Sequence, residues 1–258
     1  MNRELFWAYK DDVAGLGGKG FSTFSLPHLL WILFCLACVV CVAAVYRRAD
    51  ERRRANLRRG MALFLILFEI GKQCVAALTG APAAPLLPLH ICSFAEYTVL
   101  IDALWEQNRL FKQLLAFLFL PAAVIAVLFP SVTPYPPLSF YAIHMFLLHT
   151  AIIAYIVARY AGGELRPRYA GLWLSVLATA VMTGLVYPLN AAFDTNFMFL
   201  MHHADNPALR LIWDLTGGGF PYILGLAVLV ILVFHIMYAL YALLERTPRK
   251  VRSGRNGA

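Results

Sequence analysis

The sequence predicts an all-α, polytopic membrane bundle of seven transmembrane helices, with the amino terminus outside the cytoplasm and the carboxyl terminus cytoplasmic. Hydrophobic residues make up 61% of the 258 residues and charged residues only 14%, which is far from the composition of a soluble domain. The apolar residues gather in seven stretches, each close to the ~20 residues that a helix needs to cross ~30 Å of hydrocarbon. These stretches are 26–46, 61–79, 88–105, 110–129, 138–160, 169–187 and 220–244.

The distribution of basic residues predicts the orientation. The connection between the first two stretches contains seven arginines, whereas the next connection, 80–87, contains no basic residue. This alternation continues along the chain, so that 17 of the 22 lysines and arginines fall on one side. By the positive-inside rule that side is the cytoplasm. The net charge of +8 is therefore explained by topology, and we expect no nucleic-acid partner.

Polar side chains within the first five spans concentrate at one depth. In the predicted orientation residues 1–25 form an extracytoplasmic segment, and His28 opens the first span. Gln73 lies in the outer part of the second span, and His90 and Cys92 lie about one turn into the third. His144 lies roughly 9 Å into the fifth. Polar groups are costly in hydrocarbon, so their shared depth predicts an outward-facing polar pocket.

The last two spans are joined by the longest connection, 188–219. It contains Asn190, Asn196 and Asp214, followed by a run of three glycines. Connections of this length in compact proteins are more often functional than idle. We therefore expect an outer lid loop over the pocket, followed by the seventh span and a basic cytoplasmic tail at 247–258.

Five segments resemble the YwaF-like bacterial integral membrane proteins, a family of seven-span proteins. They are FSLPHL at 24–29, LPLHICS at 87–93, FYAIHMFLLH at 140–149, TNFMFLMHHADNP at 195–207 and WDLTGGGFPYIL at 213–224. The resemblance implies a multi-pass protein of the bacterial inner (plasma) membrane. A distantly similar animal membrane protein is associated with acyl transfer onto ether phospholipids, using a cysteine and a histidine. Its histidine matches His90, and its cysteine directly precedes that histidine, where this chain has Leu89.

Together these features favour acyl transfer or hydrolysis on a lipid substrate. His144 is the predicted general base, His90 a second proton-transfer or orienting group, and Cys92 the candidate nucleophile. Glu96 lies four residues after Cys92 on the same helical face, where a carboxylate disfavours a thiolate. The predicted substrate-binding residues are His28, Gln73, Asn190, Asn196 and Asp214, with Gln73 or Asn196 donating to the carbonyl oxyanion.

Membrane lipids are the expected partners, and the oligomeric state is left open. No two histidines have the HxxxH spacing that places both imidazoles on one helical face, so we expect no metal and no other cofactor.

Two other classes of function fit the same residues. A proton-coupled transporter would use a chain of ionisable groups through the middle of the bundle: Glu69, Lys72, Glu96, Asp102 and His149. The simpler interpretation of the first two is an ion pair one turn apart. Against a transporter, we expect few polar residues in the inner half of the bundle. The third class is a noncatalytic lipid-binding or scaffold protein.

Overall fold

The computed structural model describes residues 3–106, 108–204 and 206–246, and within them every regular element is helical. The predicted all-α fold is confirmed, whereas the tail at 247–258 lies outside the described residues. The α-helices are α1 Arg3–Trp7, α2 Lys10–Val13, α3 Leu26–Arg48, α4 Glu51–Thr79, α5 Ile91–Leu104, α6 Arg109–Leu114, α7 Leu120–Leu128, α8 Phe140–Ala161, α9 Tyr169–Phe193, α10 Pro207–Thr216 and α11 Gly219–Arg246. Short 3-10 helices cover Ala84–Leu86 and Phe197–Phe199.

Six helical stretches of the described chain are long and apolar enough to cross a membrane: α3, α4, the continuous stretch of α6 and α7, α8, α9 and α11. The chain therefore has the architecture of a multi-pass membrane protein. The remaining predicted span, 88–105, is represented by α5, which has 14 residues. At 1.5 Å per residue it is about 21 Å long, short of the ~30 Å hydrocarbon thickness. A seventh crossing and the orientation of the termini stay predictions.

The arginine-rich connection after the first span is mostly helical. Helix α3 ends at Arg48 and α4 begins at Glu51, ten residues before the start predicted from hydropathy. The Asp50 side chain caps α4 by accepting a hydrogen bond from the Arg53 amide at 2.8 Å, and arginine, alanine and leucine favour helix. Hydropathy locates the hydrocarbon-spanning part of a helix, and it does not report a polar extension.

The fourth span is interrupted by a π-helical turn. Residues Leu115–Phe119 form this turn between α6 and α7, and all five are buried. Pro121 follows in the first turn of α7, where it has no N–H to donate and its ring would crowd the carbonyl four residues earlier. A π turn inserts one extra residue into a helix, which accommodates the proline without breaking the span.

Helix α9 continues beyond its predicted end at residue 187. Pro188 lies inside the helix, which ends at Phe193 and is terminated by Asp194 in the left-handed conformation. A proline removes a single backbone hydrogen bond, and the neighbouring turns are sufficient to carry the helix through it. The first six residues of the predicted lid loop therefore belong to α9.

Helix α8 is the centre of the bundle. It contacts α3, α4, α5 and α7, and 61% of its most apolar 18-residue window is buried, against 6% for α11. The amino-terminal segment covers the beginning of α8, since Trp7 packs on Phe140 and Tyr9 on Tyr141. The polar side chains of α8 are therefore enclosed by protein on several sides, whereas few residues of α11 are buried inside the protein.

Candidate functional site

A buried ion pair lies between α4 and α8. Lys72 Nζ is 2.7 Å from Glu69 Oε1, and the two side chains are only 14% and 8% exposed. The ion pair predicted from the spacing is thus confirmed. Gln73 Nε2 donates to the same Glu69 oxygen at 2.8 Å and to the Leu86 carbonyl at 2.6 Å. Gln73 therefore fixes the Glu69 carboxylate against the connection that precedes α5.

Two acid–base groups beside this pair have polar atoms without hydrogen-bond partners. His144 stacks on Phe68 with ring centroids 4.5 Å apart, and its Nε2 is 3.8 Å from Glu69 Oε2. Neither His144 Nε2 nor Glu96 Oε1 makes a hydrogen bond within the described residues. Buried polar atoms are normally satisfied, so these two atoms mark a place where a further polar group would be stabilised.

The charges of α4 connect these groups into one site, which we call the polar cluster: Glu69, Lys72, Gln73, His90, Glu96 and His144. The ammonium of Lys72 lies within electrostatic range of both His90 and His144. The carboxylate of Glu69 lies within electrostatic range of Glu96. Of the predicted site residues, Gln73 and His144 thus lie beside Glu69, and His90 interacts electrostatically with Lys72. Lys72, which the sequence analysis assigned to the transporter alternative, is at the centre of the cluster.

The connection after α9 covers His90. The Met198 amide donates to His90 Nδ1 at 3.3 Å, and the ring of His90 packs edge-on against Phe197 with centroids 5.1 Å apart. Because Nδ1 accepts, the neutral imidazole carries its proton on Nε2. Both Met198 and Phe199 have positive φ angles, a conformation that costs energy for non-glycine residues. We call residues 194–204 the lid.

Asn190 and Asn196 hold the lid. Asn190 is buried at the end of α9, and its side chain donates to the Phe197 carbonyl at 3.0 Å and accepts from the Phe197 amide at 2.8 Å. The Asn196 side chain donates to the His202 carbonyl at 2.9 Å and accepts from the Met201 amide at 2.9 Å. The side chains of Asn190 and Asn196, which were predicted to bind substrate, thus form hydrogen bonds with backbone groups of the lid.

The other predicted site residues lie apart from the polar cluster or at its edge. Both ring nitrogens of His28 are occupied, by the Val127 carbonyl at 2.9 Å and the Phe24 amide at 2.8 Å. Asp214 is exposed on α10. Cys92 packs against the hydrophobic core in the first turn of α5, with the carboxyl of Glu96 as its charged neighbour. No group of three or more His, Cys, Asp or Glu in the described chain is arranged to hold a metal ion.

A second set of buried charges lies toward the opposite end of α5 and α8. Asp102, fully buried, accepts from Tyr155 OH at 2.6 Å and lies 3.4 Å from Arg159 Nη2. Glu164 is 3.2 Å from Arg159 Nη1 and 3.1 Å from Arg58 Nη1. We call these residues the arginine network. The expectation of few polar residues in the inner half took no account of this network, in which both Arg58 and Arg159 are only 1% exposed.

The sequence profile of the TMEM164 family matches residues 23–238. The chain belongs to the TMEM164 family. Comparison with curated proteins and with solved structures gives no match.

The TMEM164 match extends from before α3 into α11. It therefore includes the whole polar cluster, the lid and the arginine network, whereas α1 and α2, which cover the start of α8, lie outside it. Membership of the TMEM164 family thus applies to the part of the chain that contains the candidate site.

Proposed function

We propose that this chain transfers or hydrolyses an acyl group of a membrane lipid at the polar cluster. The observation that carries the proposal is the pair of unbonded, buried acid–base atoms, His144 Nε2 and Glu96 Oε1, beside the ammonium of Lys72. General acid–base catalysis needs such a group within hydrogen-bond reach of the reacting proton. Six helices long and apolar enough to cross a membrane, and the distant similarity to an animal membrane protein associated with acyl transfer onto ether phospholipids, support a lipid substrate.

His144 acts as the general base in this proposal. Its Nε2 accepts the proton of the acceptor hydroxyl, which is water in hydrolysis and a lysolipid in transfer, as that oxygen attacks the ester carbonyl carbon. When the tetrahedral intermediate collapses, the ester C–O bond breaks and the imidazolium returns the proton to the departing alkoxide. Glu69, 3.8 Å from His144 Nε2, stabilises the transient imidazolium.

Lys72 supplies the positive charge for the oxyanion. A preorganised cation in a water-poor site is a strong stabiliser of developing negative charge, and the Gln73 and Asn196 amides are already committed to other acceptors. His90 orients the substrate through its Nε2–H. His28 and Asn190 then contribute indirectly, by shaping the walls and the lid rather than by touching the reacting atoms. Asp214, exposed on α10, has no part in this proposal.

Cys92 defines a second route to the same products. In that route its thiolate attacks the carbonyl, the ester C–O bond breaks to release the alkoxide, and the acyl group remains as a thioester until an acceptor attacks it. The carboxyl of Glu96 beside the thiol disfavours the thiolate. We therefore favour the direct route through His144.

A proton-coupled transporter is the second candidate, because the arginine network places buried ionisable groups at the other end of the same two helices. Such a protein needs a polar path between the two sets. Val99 on α5 and Leu148 and Ile152 on α8 lie between them and are at most 4% exposed. This apolar layer separates Glu96 from Asp102, which favours a one-sided site.

The test is lipid turnover by the purified protein in vesicles of defined phospholipids, with the products measured by mass spectrometry. We expect His144→Ala to abolish turnover while lipid binding is retained. The matched control is His235→Ala, because His235 is also a membrane histidine, on α11, and bonds the Ile231 carbonyl. If turnover survives in His144→Ala, or if Glu96→Gln instead shifts the pH dependence of solute uptake, the acyl-transfer proposal is wrong.

A further inference from the structure

A groove of about 450 Å³ lies at the start of the fourth span, lined by Arg109, Leu110, Lys112, Gln113, Arg166 and Arg168. One wall is the first turn of α6, and the other is the connection from α8 to α9. We propose that this groove binds the phosphate headgroup of an anionic phospholipid. The site lies at the arginine-rich end of the bundle and does not rest on the proposed acyl chemistry.

The groove has four cations, and the carboxylates within electrostatic range of Lys112, those of Asp102, Glu106 and Glu164, are paired with other arginines. Among residues 3–106, 108–204 and 206–246, no acidic side chain lies within ion-pair distance of Arg109, Lys112, Arg166 or Arg168. Glu164 also lines the groove, but its carboxylate is shared by three arginines of other elements: Arg54, Arg58 and Arg159. Unpaired cations gathered in one concavity attract a multiply charged oxyanion.

Gln113 holds the two walls together. Its side-chain nitrogen donates to the Arg166 carbonyl at 3.1 Å, and its side-chain oxygen accepts from the Arg168 amide at 2.9 Å. A Cβ at position 171 would collide with that same side chain, so Gly171 makes room for it. The backbone that carries Arg166 and Arg168 is thereby fixed before any ligand arrives, which lowers the entropic cost of binding.

The surroundings of the groove favour a lipid over a soluble phosphate. Leu110 and Leu174, at its edge, are 38% and 37% exposed, and both belong to helices that are candidate membrane spans. A phosphate bound by the four cations would therefore have apolar surface beside it for its acyl chains. Basic pockets between membrane helices bind anionic headgroups in this way.

The test is native mass spectrometry of the delipidated full-length protein titrated with dioleoylphosphatidylglycerol or dioleoylphosphatidylcholine. We expect phosphatidylglycerol to bind at least about tenfold more tightly, as expected for charge-assisted contacts to phosphate. Arg166→Gln/Arg168→Gln should remove this preference. Lys112→Gln, on the opposite wall, should weaken the preference for phosphatidylglycerol and leave the connection from α8 to α9 unchanged. This variant therefore distinguishes the loss of charge from a folding defect in the double variant.

The matched control is Arg52→Gln/Arg59→Gln, which removes two exposed charges at the same end of the bundle but outside the groove. It should keep the preference. Equal binding of the two lipids, an equal loss in the control, or retention of the preference by either groove variant would contradict the proposal. Displacement of phosphatidylglycerol by an equal concentration of glycerol 3-phosphate would overturn the lipid assignment in favour of a soluble phosphate.

Discussion

Glu69 and Lys72 show how a single pair of residues organises the polar cluster. The carboxylate binds the ammonium, accepts from Gln73 and lies near His144. Removing one partner of a buried ion pair leaves an uncompensated charge, which costs far more than removing both. The pair therefore has two roles that experiment can separate, one in stability and one in chemistry.

We predict that Glu69→Gln destabilises the protein by about 3–5 kcal/mol, the usual cost of breaking a buried pair. The Glu69→Gln/Lys72→Met double variant should recover much of this loss, because no unpaired ammonium remains. Thermal unfolding of both variants in the same detergent measures the difference. A double variant that is less stable than the single one would contradict this account of the pair.

Cys92 is the residue at which packing and chemistry are most easily confused. If it only packs against the core, Cys92→Ser should retain nearly full turnover and lose about 1–3 kcal/mol of stability, because a buried hydroxyl without a partner is costly. Mass spectrometry of the intact protein, incubated with acyl donor but no acceptor, checks the alternative. An acyl-thioester trapped on Cys92 would show that the covalent route is used.

At the scale of elements, the lid is the part whose behaviour decides access to the polar cluster. Its contact with His90 is made by the Met198 amide, and its attachment to α9 is made by Asn190. The lid backbone includes strained positions. A segment held in strain by a few side-chain bonds is suited to open and close.

We predict that Asn190→Ala releases the lid. Losing the buried side-chain amide leaves the Phe197 amide without its acceptor, at a cost of about 1–3 kcal/mol. The Phe197 carbonyl then keeps only the long bond from the Leu200 amide, at 3.4 Å. Amide hydrogen exchange of residues 195–202 should accelerate, while exchange in α8 should not change. Asp214→Asn, an exposed substitution on the neighbouring helix α10, is the control and should leave exchange in the lid unaltered.

The sequence predicted the lid as a connection but not its attachment. Asn190 and Asn196 were interpreted as substrate ligands because an amide in a long connection has no visible partner in the sequence. Their partners, the backbone groups of Phe197 and His202, depend on the left-handed turns at Asp194 and Met198. The Glu69–Lys72 pair was predictable because residues three apart on a helix are neighbours. The approach of His144 to Glu69 was not, since it depends on how α4 packs against α8.

At the scale of the whole molecule, hydropathy predicted the six long helices. Most of the predicted helix ends lie within a few residues of the observed ones. It was least informative at α5, where 14 helical residues are followed and preceded by irregular backbone. An apolar composition alone cannot distinguish a short buried helix from a full crossing. The same limit concealed the arginine network, because hydropathy does not report which charged residues pair inside protein.

The orientation of the chain in the membrane is the prediction that concerns the whole molecule. A reporter active only in the cytoplasm should work when inserted after Ala49, in the break between α3 and α4, or when fused at residue 255. It should fail when inserted after Ala204, in the connection between α9 and α10. The positive-inside rule is the physical reason. The opposite pattern of activity would place the polar cluster in the inner half of the membrane.

The π-helical turn at Leu115–Phe119 sets the angular phase between the two ends of the fourth span. Deleting one residue from it would let the segment continue as a regular helix, and α6 would rotate by about 100° relative to α7. Arg109, Lys112 and Gln113 would then face away from the connection that carries Arg166 and Arg168. The phosphate groove therefore depends on the number of residues in this span as much as on their identity. A homologue with one residue fewer here would keep every cation of the groove and lose the groove itself.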